Sequence, residues 1–288
     1  MVQLIDSDIK TREVLDWRGV HLLHFTNSSC SQKARIVMSL KGIAWESHLI
    51  DLSTQQNMDD WFLGINPRGL VPVLVHDGAV HIESNDIIAY LDRQFAGMKL
   101  IPAGREAEIA ALMHDEDKLH LDLRTITMRF VFPTRMALRP TAKLEHYAVA
   151  GSGQVAGKPD ARRSVEIDFW KNLAAHGISD STGRASALKF KAHFAQIDER
   201  LGKHRYLLGD SLTILDVAWF IYAHRMSLAG YPLESYHPRL AKWFAALNVR
   251  PEFAKEVGLA VPVREFIERH RQDQIAAGTS LRHVLEAV

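Results

Sequence analysis

The one cysteine in the sequence sits among hydroxyls, in the run Asn27-Ser28-Ser29-Cys30-Ser31. The run follows a short apolar stretch, HLLHF at 21–25. It precedes Ala34, Ile36, Val37 and Leu40, which lie at helical spacing up to Gly42. An apolar run, a polar break and then a 3.6-residue period predict a strand, a turn and a helix. A helix N-terminus offers unpaired N–H groups and a partial positive charge. Both lower the pKa of a thiol placed there and steady a bound thiolate. The same serines would serve as N-caps. Residue types alone therefore leave two readings open, a helix cap and a thiol or thiolate site. The influence of Lys33 and Arg35, early in the same helix, depends on which way they face.

Two further pairs stand out. Val71-Pro72 opens a strand with a residue that has no N–H to give the ladder. Glu83-Ser84 follows a predicted hairpin and starts a helix; the pair is either a cap or a carboxylate and a hydroxyl set to receive an amine and a carboxylate. Other chemistry finds no support. The sequence holds 15 His but no HExxH and no Cys/His group at zinc spacing, so no metal is expected. His114 and His120, six apart, do not share a helical face. GSGQVAG at 151–157 follows no strand and has the wrong spacing for a dinucleotide fingerprint. GxxxxGK[ST] and GxSxG are missing.

The elements that must position these residues fall into two groups. At 20–97 the pattern reads strand, helix, strand, helix, hairpin, helix, an α/β unit with a mixed sheet; Asp77-Gly78 is suited to the hairpin's type I′ turn. After a linker at 96–104, the pattern is helical at about 105–131, 134–149, 161–176, 182–202, 213–229 and 237–248, giving an all-helical domain over 104–259. Thr213-x-x-Asp216 reads as a capping box. The run 217–223 is apolar on every side, as in a helix buried mid-domain. An N-terminal arm (1–19) and a C-terminal tail (260–288) flank the two domains as docking segments, and GSGQVAG reads as an exposed loop. Composition agrees: 47% hydrophobic and 24% charged residues exclude a disordered chain. A net charge of +1 recommends neither nucleic acid nor an anionic membrane surface as partner. No apolar run approaches the ~20 residues of a membrane span. The start, MVQLIDSDIK, has no apolar core and is not read as a signal peptide. One cysteine forms no internal disulfide, so a reducing cytoplasm is expected.

Taken in order, FTNSSCSQKARIVMSLKGI, NPRGLVPVLVHDG and IESNDIIAYLD resemble the thioredoxin-like domain of glutathione transferases. YLLGDSLTILDVAWF resembles the buried-helix motif of their helical domain, and the resemblance runs over about 20–257. SSCS is similar to the zeta class. NPRGLVPVLVHDGAVHIES also resembles bacterial glutathione-dependent β-etherases, and WKNLAAHGISDS the reductive dehalogenases of chlorinated hydroquinones. The resemblance implies glutathione as co-substrate. It makes Ser28 the serine whose hydroxyl stabilises the glutathione thiolate, with Ser29 in support. Cys30 matches the zeta-class cysteine and the nucleophile of omega-class and dehalogenase relatives. Pro72 becomes the cis-proline, Val71 the residue that pairs with the cysteinyl backbone, and Glu83 and Ser84 the holders of the γ-glutamyl end. Gln56 falls near a contact to the glycyl end. The thiolate would attack a small aromatic electrophile in an apolar cleft between the domains, with Met113, Leu121, Phe130, Phe132 and Tyr147 as candidate walls. Ether cleavage, dehalogenation, isomerisation and conjugation all remain open, beside a non-catalytic module that kept the fold. The family also implies a homodimer built on the helices at 84–95 and 105–131.

Overall fold

A computed structural model describes residues 2–287 and packs them into two compact units. The first unit comprises the described residues up to Phe95 together with Leu138–Gly177; the second comprises Ala96–Ala137 and the described residues from Ile178 onward.

The main sheet of the first unit has five strands, β1 (Val2–Gln3), β2 (Val20–His24), β3 (Glu46–Leu49), β4 (Val73–His76) and β5 (Ala79–Ile82), in the order β1-β5-β4-β2-β3. Only β2 and β3 run parallel; β4 is antiparallel to β2 and β5 to β4. Helices α1 (Ser29–Lys41), α2 (Asp60–Leu63) and α3 (Ser84–Gln94) complete the expected α/β pattern. β2 (VHLLH) is buried along its whole length, its two histidines included. Asp77 and Gly78 both have positive φ, as the type I′ turn requires.

The second unit is all helical. It contains α4 (Glu106–Asp117), α5 (His120–Ile126) with a π-helical turn over Thr127–Val131, and α6 (Thr134–Ala137). Within the stretch that joins the first unit lie α7 (Thr141–Val149), a hairpin of β6 (Gln154–Val155) and β7 (Lys158–Pro159), and α8 (Arg162–His176). The second unit resumes with α9 (Asp180–Leu201), α10 (Ile214–Leu228), α11 (Leu233–Tyr236), α12 (Pro238–Asn248), α13 (Pro251–Val257), α14 (Val261–Ala276) and α15 (Leu281–Glu286). Ile214 to Met226 of α10 are all buried, so this helix is the axis of the helical core.

Three boundaries differ from those read in the sequence. The described residues of the arm at 1–19 are part of the first unit's core. β1 pairs with β5, Leu4, Ile9 and Val14 are buried, and the sheet would lose one apolar cover without them. Residues 138–177 leave the expected domain 104–259 for the first unit. The fully buried Asp8 carboxylate draws them in, accepting hydrogen bonds from Ala156 N (2.7 Å) and Gly157 N (3.0 Å). GSGQVAG is thereby no free loop: Ala156 and Gly157 take positive φ and turn the small hairpin. The described residues of the tail at 260–288 form α14 and α15, and Leu281, Val284 and Leu285 of α15 are buried in the second unit.

Candidate active site

The strand register sets where the chemistry gathers. Leu23 near the end of β2 pairs with Val73 at the start of β4, and Leu74 of β4 pairs with His81 near the end of β5. The end of β2, the start of β4 and the end of β5 thus share one edge of the sheet. Ser28, Val71-Pro72 and Glu83-Ser84 follow or precede those ends directly. β3 runs parallel to β2, so the loop carrying Gln56 leaves from the same edge.

Ser28 is the N-cap of α1, and its hydroxyl accepts from Ser31 N at 3.3 Å. Capping and catalysis are not exclusive here, because a hydroxyl that accepts one hydrogen bond keeps its own O–H for donation. Ser29 and Cys30 are the first two helical residues, and Ser28, Ser29 and Cys30 are all half-buried at the helix mouth. Lys33 and Arg35 turn into the unit. Lys33 Nζ donates to Asn85 Oδ1 (3.2 Å) at the start of α3. Arg35 donates to Phe25 O (3.3 Å) and Thr26 O (2.9 Å), which fixes the loop that delivers Ser28. A third Arg35 N–H points at His24 Nδ1 (3.1 Å), so that nitrogen accepts and Nε2–H donates to Ser47 Oγ (2.8 Å). Burial, with Arg35 and then His48 beside it, pushes the His24 pKa down to about 4. His24 is therefore a neutral anchor at physiological pH.

The Val71–Pro72 bond is cis. The preceding loop is tied from within: Asn66 Nδ2 donates to Leu70 O (2.7 Å), Arg68 N to Asn66 Oδ1 (3.0 Å) and Asn57 Nδ2 to Gly69 O (2.7 Å). Gly69 takes φ +60°, and a Cβ there would come within 3.0 Å of the Tyr147 ring. Only glycine fits that position without displacement.

Glu83 also adopts a left-handed φ of 68°, unusual for a side-chain-bearing residue, and Ser84 behind it is buried. The Glu83 carboxylate meets Arg68 Nη1 at 2.5 Å, and the same guanidinium grips Asp160 through Nε (2.7 Å) and Nη2 (2.9 Å). Burial opposes the charge on Arg68, but the hydrogen bonds and charges of Asp160 and Glu83 outweigh it and raise its pKa. Residues 138–177 thus reach the candidate site. Tyr147 Oη donates to Arg68 O (2.6 Å), and Arg163 Nη2 to Pro67 O (2.7 Å). Sequence reasoning missed Arg68, Asp160 and Arg163. Arg68 lies inside the NPRGLVP motif, but nothing local announces a partner 92 residues away.

Gln56 is exposed, accepts from Asp51 N (2.8 Å) through Oε1, and lines a cleft with His48, Leu49, Ile50, Asp59 and Trp61. Of the candidate walls, Met113 and Phe130 are buried core side chains of the helical unit, Leu121 is exposed and Phe132 half-buried. Tyr147 belongs to the first unit.

Residues 27–94 match the glutathione S-transferase N-terminal domain family, and residues 184–246 match the C-terminal domain family. The protein LigF of a Sphingobium species is 25% identical over 263 residues, 88% of this chain and 95% of LigF. Its crystal structure, described as that of a beta-etherase, superposes with a TM-score of 0.69 at 26% identity, covering 82% of this chain and 98% of that one. Glutathione S-transferase hmp2 of Hypomyces subiculosus is 27% identical over 79% of this chain and 94% of its own length. Glutathione S-transferase 1 of Dianthus caryophyllus is 40% identical over 83 residues, where the match spans 29% of this chain and 38% of that enzyme. Two family domains in the expected order, on a matching fold, leave one assignment: the chain belongs to the glutathione transferase superfamily.

Proposed function

We propose that this glutathione-dependent transferase holds the glutathione thiolate at the mouth of α1 and directs it at a small aromatic electrophile, an aryl ether foremost. The observation that carries the reading is the convergence of Ser28, Cys30, Val71-Pro72 and Glu83-Ser84 on one edge of the sheet, with Ser28 as the α1 N-cap. Thiols are mostly protonated at neutral pH. The helix N-terminus and the Ser28 O–H favour the thiolate and so raise the population of the nucleophile. Val71 offers backbone groups to the cysteinyl part of glutathione. Glu83 and Ser84 receive its γ-glutamyl end, and Gln56 approaches its glycyl end. In ether cleavage the thiolate attacks the carbon that bears the aryloxy group. A C–S bond forms, the C–O bond breaks, and the aryl oxygen leaves with the electron pair and takes up the proton that the thiol gave up.

The similarity to LigF, which extends over both family domains, favours ether cleavage over the other reactions of the superfamily. Retention on a glutathione resin, followed by chromatography of phenol released from a β-aryl ether plus glutathione, tests the reading. Binding without turnover of ethers, haloaromatics or a maleyl substrate would leave a glutathione-binding module instead. A homodimer, about twice 32.5 kDa by light scattering, goes with the same reading. No helix among the described residues is long and apolar enough to cross a membrane.

A further inference from the structure

We propose that His21, Glu46 and His48 form a binding site for a divalent transition-metal ion of the zinc type, on the outer, parallel strand pair of the first unit's sheet. The register puts the three residues on one face. His21 pairs with Glu46 and Leu23 with His48, and side chains two apart along a strand share a side. His21 Nδ1 lies 3.1 Å from His48 Nε2. Glu46 Oε2 stands 3.6 Å from His21 Nδ1, and Glu46 Oε1 stands 3.6 Å from His48 Nε2. A tetrahedral zinc ion with bonds of ~2.0–2.1 Å separates its ligand atoms by about 3.3–3.4 Å. The His21–His48 edge is just short of that value, and the two 3.6 Å contacts reach different Glu46 oxygens. One ligand atom from each residue lies within 4.8 Å of the others, so rotation of the exposed Glu46 side chain brings one oxygen onto the ion.

The surroundings favour a metal over a simple imidazole pair. His21 Nε2 is 2.8 Å from Arg18 O. A carbonyl only accepts, so the proton sits on Nε2 and the Nδ1 lone pair faces the cluster. This is the outer-sphere arrangement that orients ligating histidines. Trp17 stacks on the His48 ring, with centroids 4.4 Å apart and planes 13° from parallel, and packs against His21 as well. Both rings are therefore held before any ion arrives. Glu46 is largely solvent-exposed, which gives an entry path and leaves a fourth position for water. Without metal, His48 Nε2–H donates to His21 Nδ1. On binding, His48 shifts its proton to Nδ1 through solvent and both nitrogens ligate. Imidazole and carboxylate donors in a tetrahedral set select zinc-like ions over magnesium or calcium. His21 and Glu46 lie at the start of their strands, whereas the glutathione residues gather beyond the strand ends.

The test uses full-length, tag-free protein titrated with Co2+ and read by its visible absorption, with Zn2+ as competitor and the melting midpoint as second readout. One four-coordinate Co2+ per chain, displaced by Zn2+, and a zinc-dependent rise in midpoint are expected. His48→Ala should weaken binding at least about tenfold, as losing a ligand-shell group does. Glu46→Gln should weaken it less. Glu46→Gln should keep wild-type retention on glutathione resin and wild-type transferase turnover. His48 also lines the cleft with Gln56, so folding of His48→Ala is read from a cooperative metal-free melting transition instead. Three results would overturn the site: no stoichiometric binding, binding unchanged in His48→Ala, or a thiolate-to-cobalt charge-transfer band that places the ion on Cys30.

Discussion

Helices α1 and α10 both begin at a hydroxyl-bearing residue, and the two N-termini serve opposite ends. At α1 the cap is open. Ser28, Ser29 and Cys30 are half-buried, and Ser28 Oγ accepts from Ser31 N over a long 3.3 Å. At α10 the cap is sealed. Asp216 is fully buried, and its Oδ2 accepts from Thr213 N and Thr213 Oγ1, both at 2.9 Å. Its Oδ1 accepts from Leu207 N (3.0 Å) and Trp243 Nε1 (3.2 Å). Thr213 and Asp216 form the capping box read from their spacing, and the Thr213 hydroxyl also donates to the carboxylate while Asp216 N reaches the Thr213 carbonyl at 3.1 Å. The same helix-end field meets solvent at α1 and spends itself on internal donors at α10. A helix N-terminus becomes a chemical site only where its donors are left for something that comes and goes.

The largest effect should come from unsealing the α10 cap. Asp216→Ala strands four donors in a buried site, and each orphaned group costs roughly 1–3 kcal/mol. A loss of at least about 3 kcal/mol in urea unfolding is expected, with glutathione affinity of the remaining folded protein unchanged. A wild-type unfolding midpoint would show that the comparison overrates the sealed cap.

Acid should then weaken both units through buried neutral histidines. Burial, with Arg35 and His48 adding to it, lowers His24 to about 4; burial and then Arg225 lower His224 to about 3. Each has an ordinary value of 6.5, so the unfolded chain takes up these protons first as pH falls. Folded stability is complete above pH 6.5 and declines from there toward pH 4, at about 1.4 kcal/mol per unit for each group. His24→Gln should flatten this slope in part. A stability flat from pH 7 to 4.5 would contradict the anchoring of the α1 loop by a neutral His24.

Ser28→Ala tests the open cap. Turnover should fall about 10- to 1000-fold, as when one positioned donor to a developing anion is lost, while glutathione affinity and melting change little. A large melting change with unaltered turnover would turn Ser28 into a mere cap and erase the contrast with α10.

Arg68→Ala follows with a smaller effect. Arg68 is a positioning residue, since it touches Glu83 and the inserted Asp160 rather than the thiol. Its loss should raise KM for glutathione by up to about tenfold, roughly 1.4 kcal/mol, with kcat nearly kept. Arg68→Lys should not restore it, because a point charge cannot bridge two carboxylates as a planar fork does. A fall in kcat at constant KM would move Arg68 into the chemistry.

What the sequence disclosed and what it hid divide along physical lines. Periodicity, Gly42, Asp77-Gly78 and the Ser28 cap are local signals, and the elements they mark lie within a few residues of where the pattern places them. The site edge was legible because strand and turn order alone carries Ser28, Pro72 and Ser84 to one side. Long-range pairing was not legible. Asp8 finds the amides of Ala156 and Gly157 across 148 and 149 residues, which is why 138–177 joins the first unit. Arg68 and Asp160, or His21 and His48, are likewise brought together by strand register and packing, with no short spacing to betray them.

The smallest effect is expected at Cys30, and it decides what kind of reaction the open cap supports. Cys30 is the second residue of α1 and half-buried, so its thiol lies in the helix-end field that the proposed function assigns to the glutathione thiolate. Substitution on an aryl ether is redox-neutral and needs only the glutathione thiol. Cys30→Ser keeps size and a donor at that point and should change turnover by less than about threefold, far below the range for a lost stabilising donor. A reductive reaction instead requires the Cys30 sulfur to form a mixed disulfide with glutathione, releasing the reduced substrate, and the variant would then be inactive. Mass spectrometry of wild-type protein quenched during turnover separates the two. Unmodified Cys30 with each ether tested supports substitution, and a glutathione adduct on Cys30 that accumulates with substrate would replace it by the reductive path.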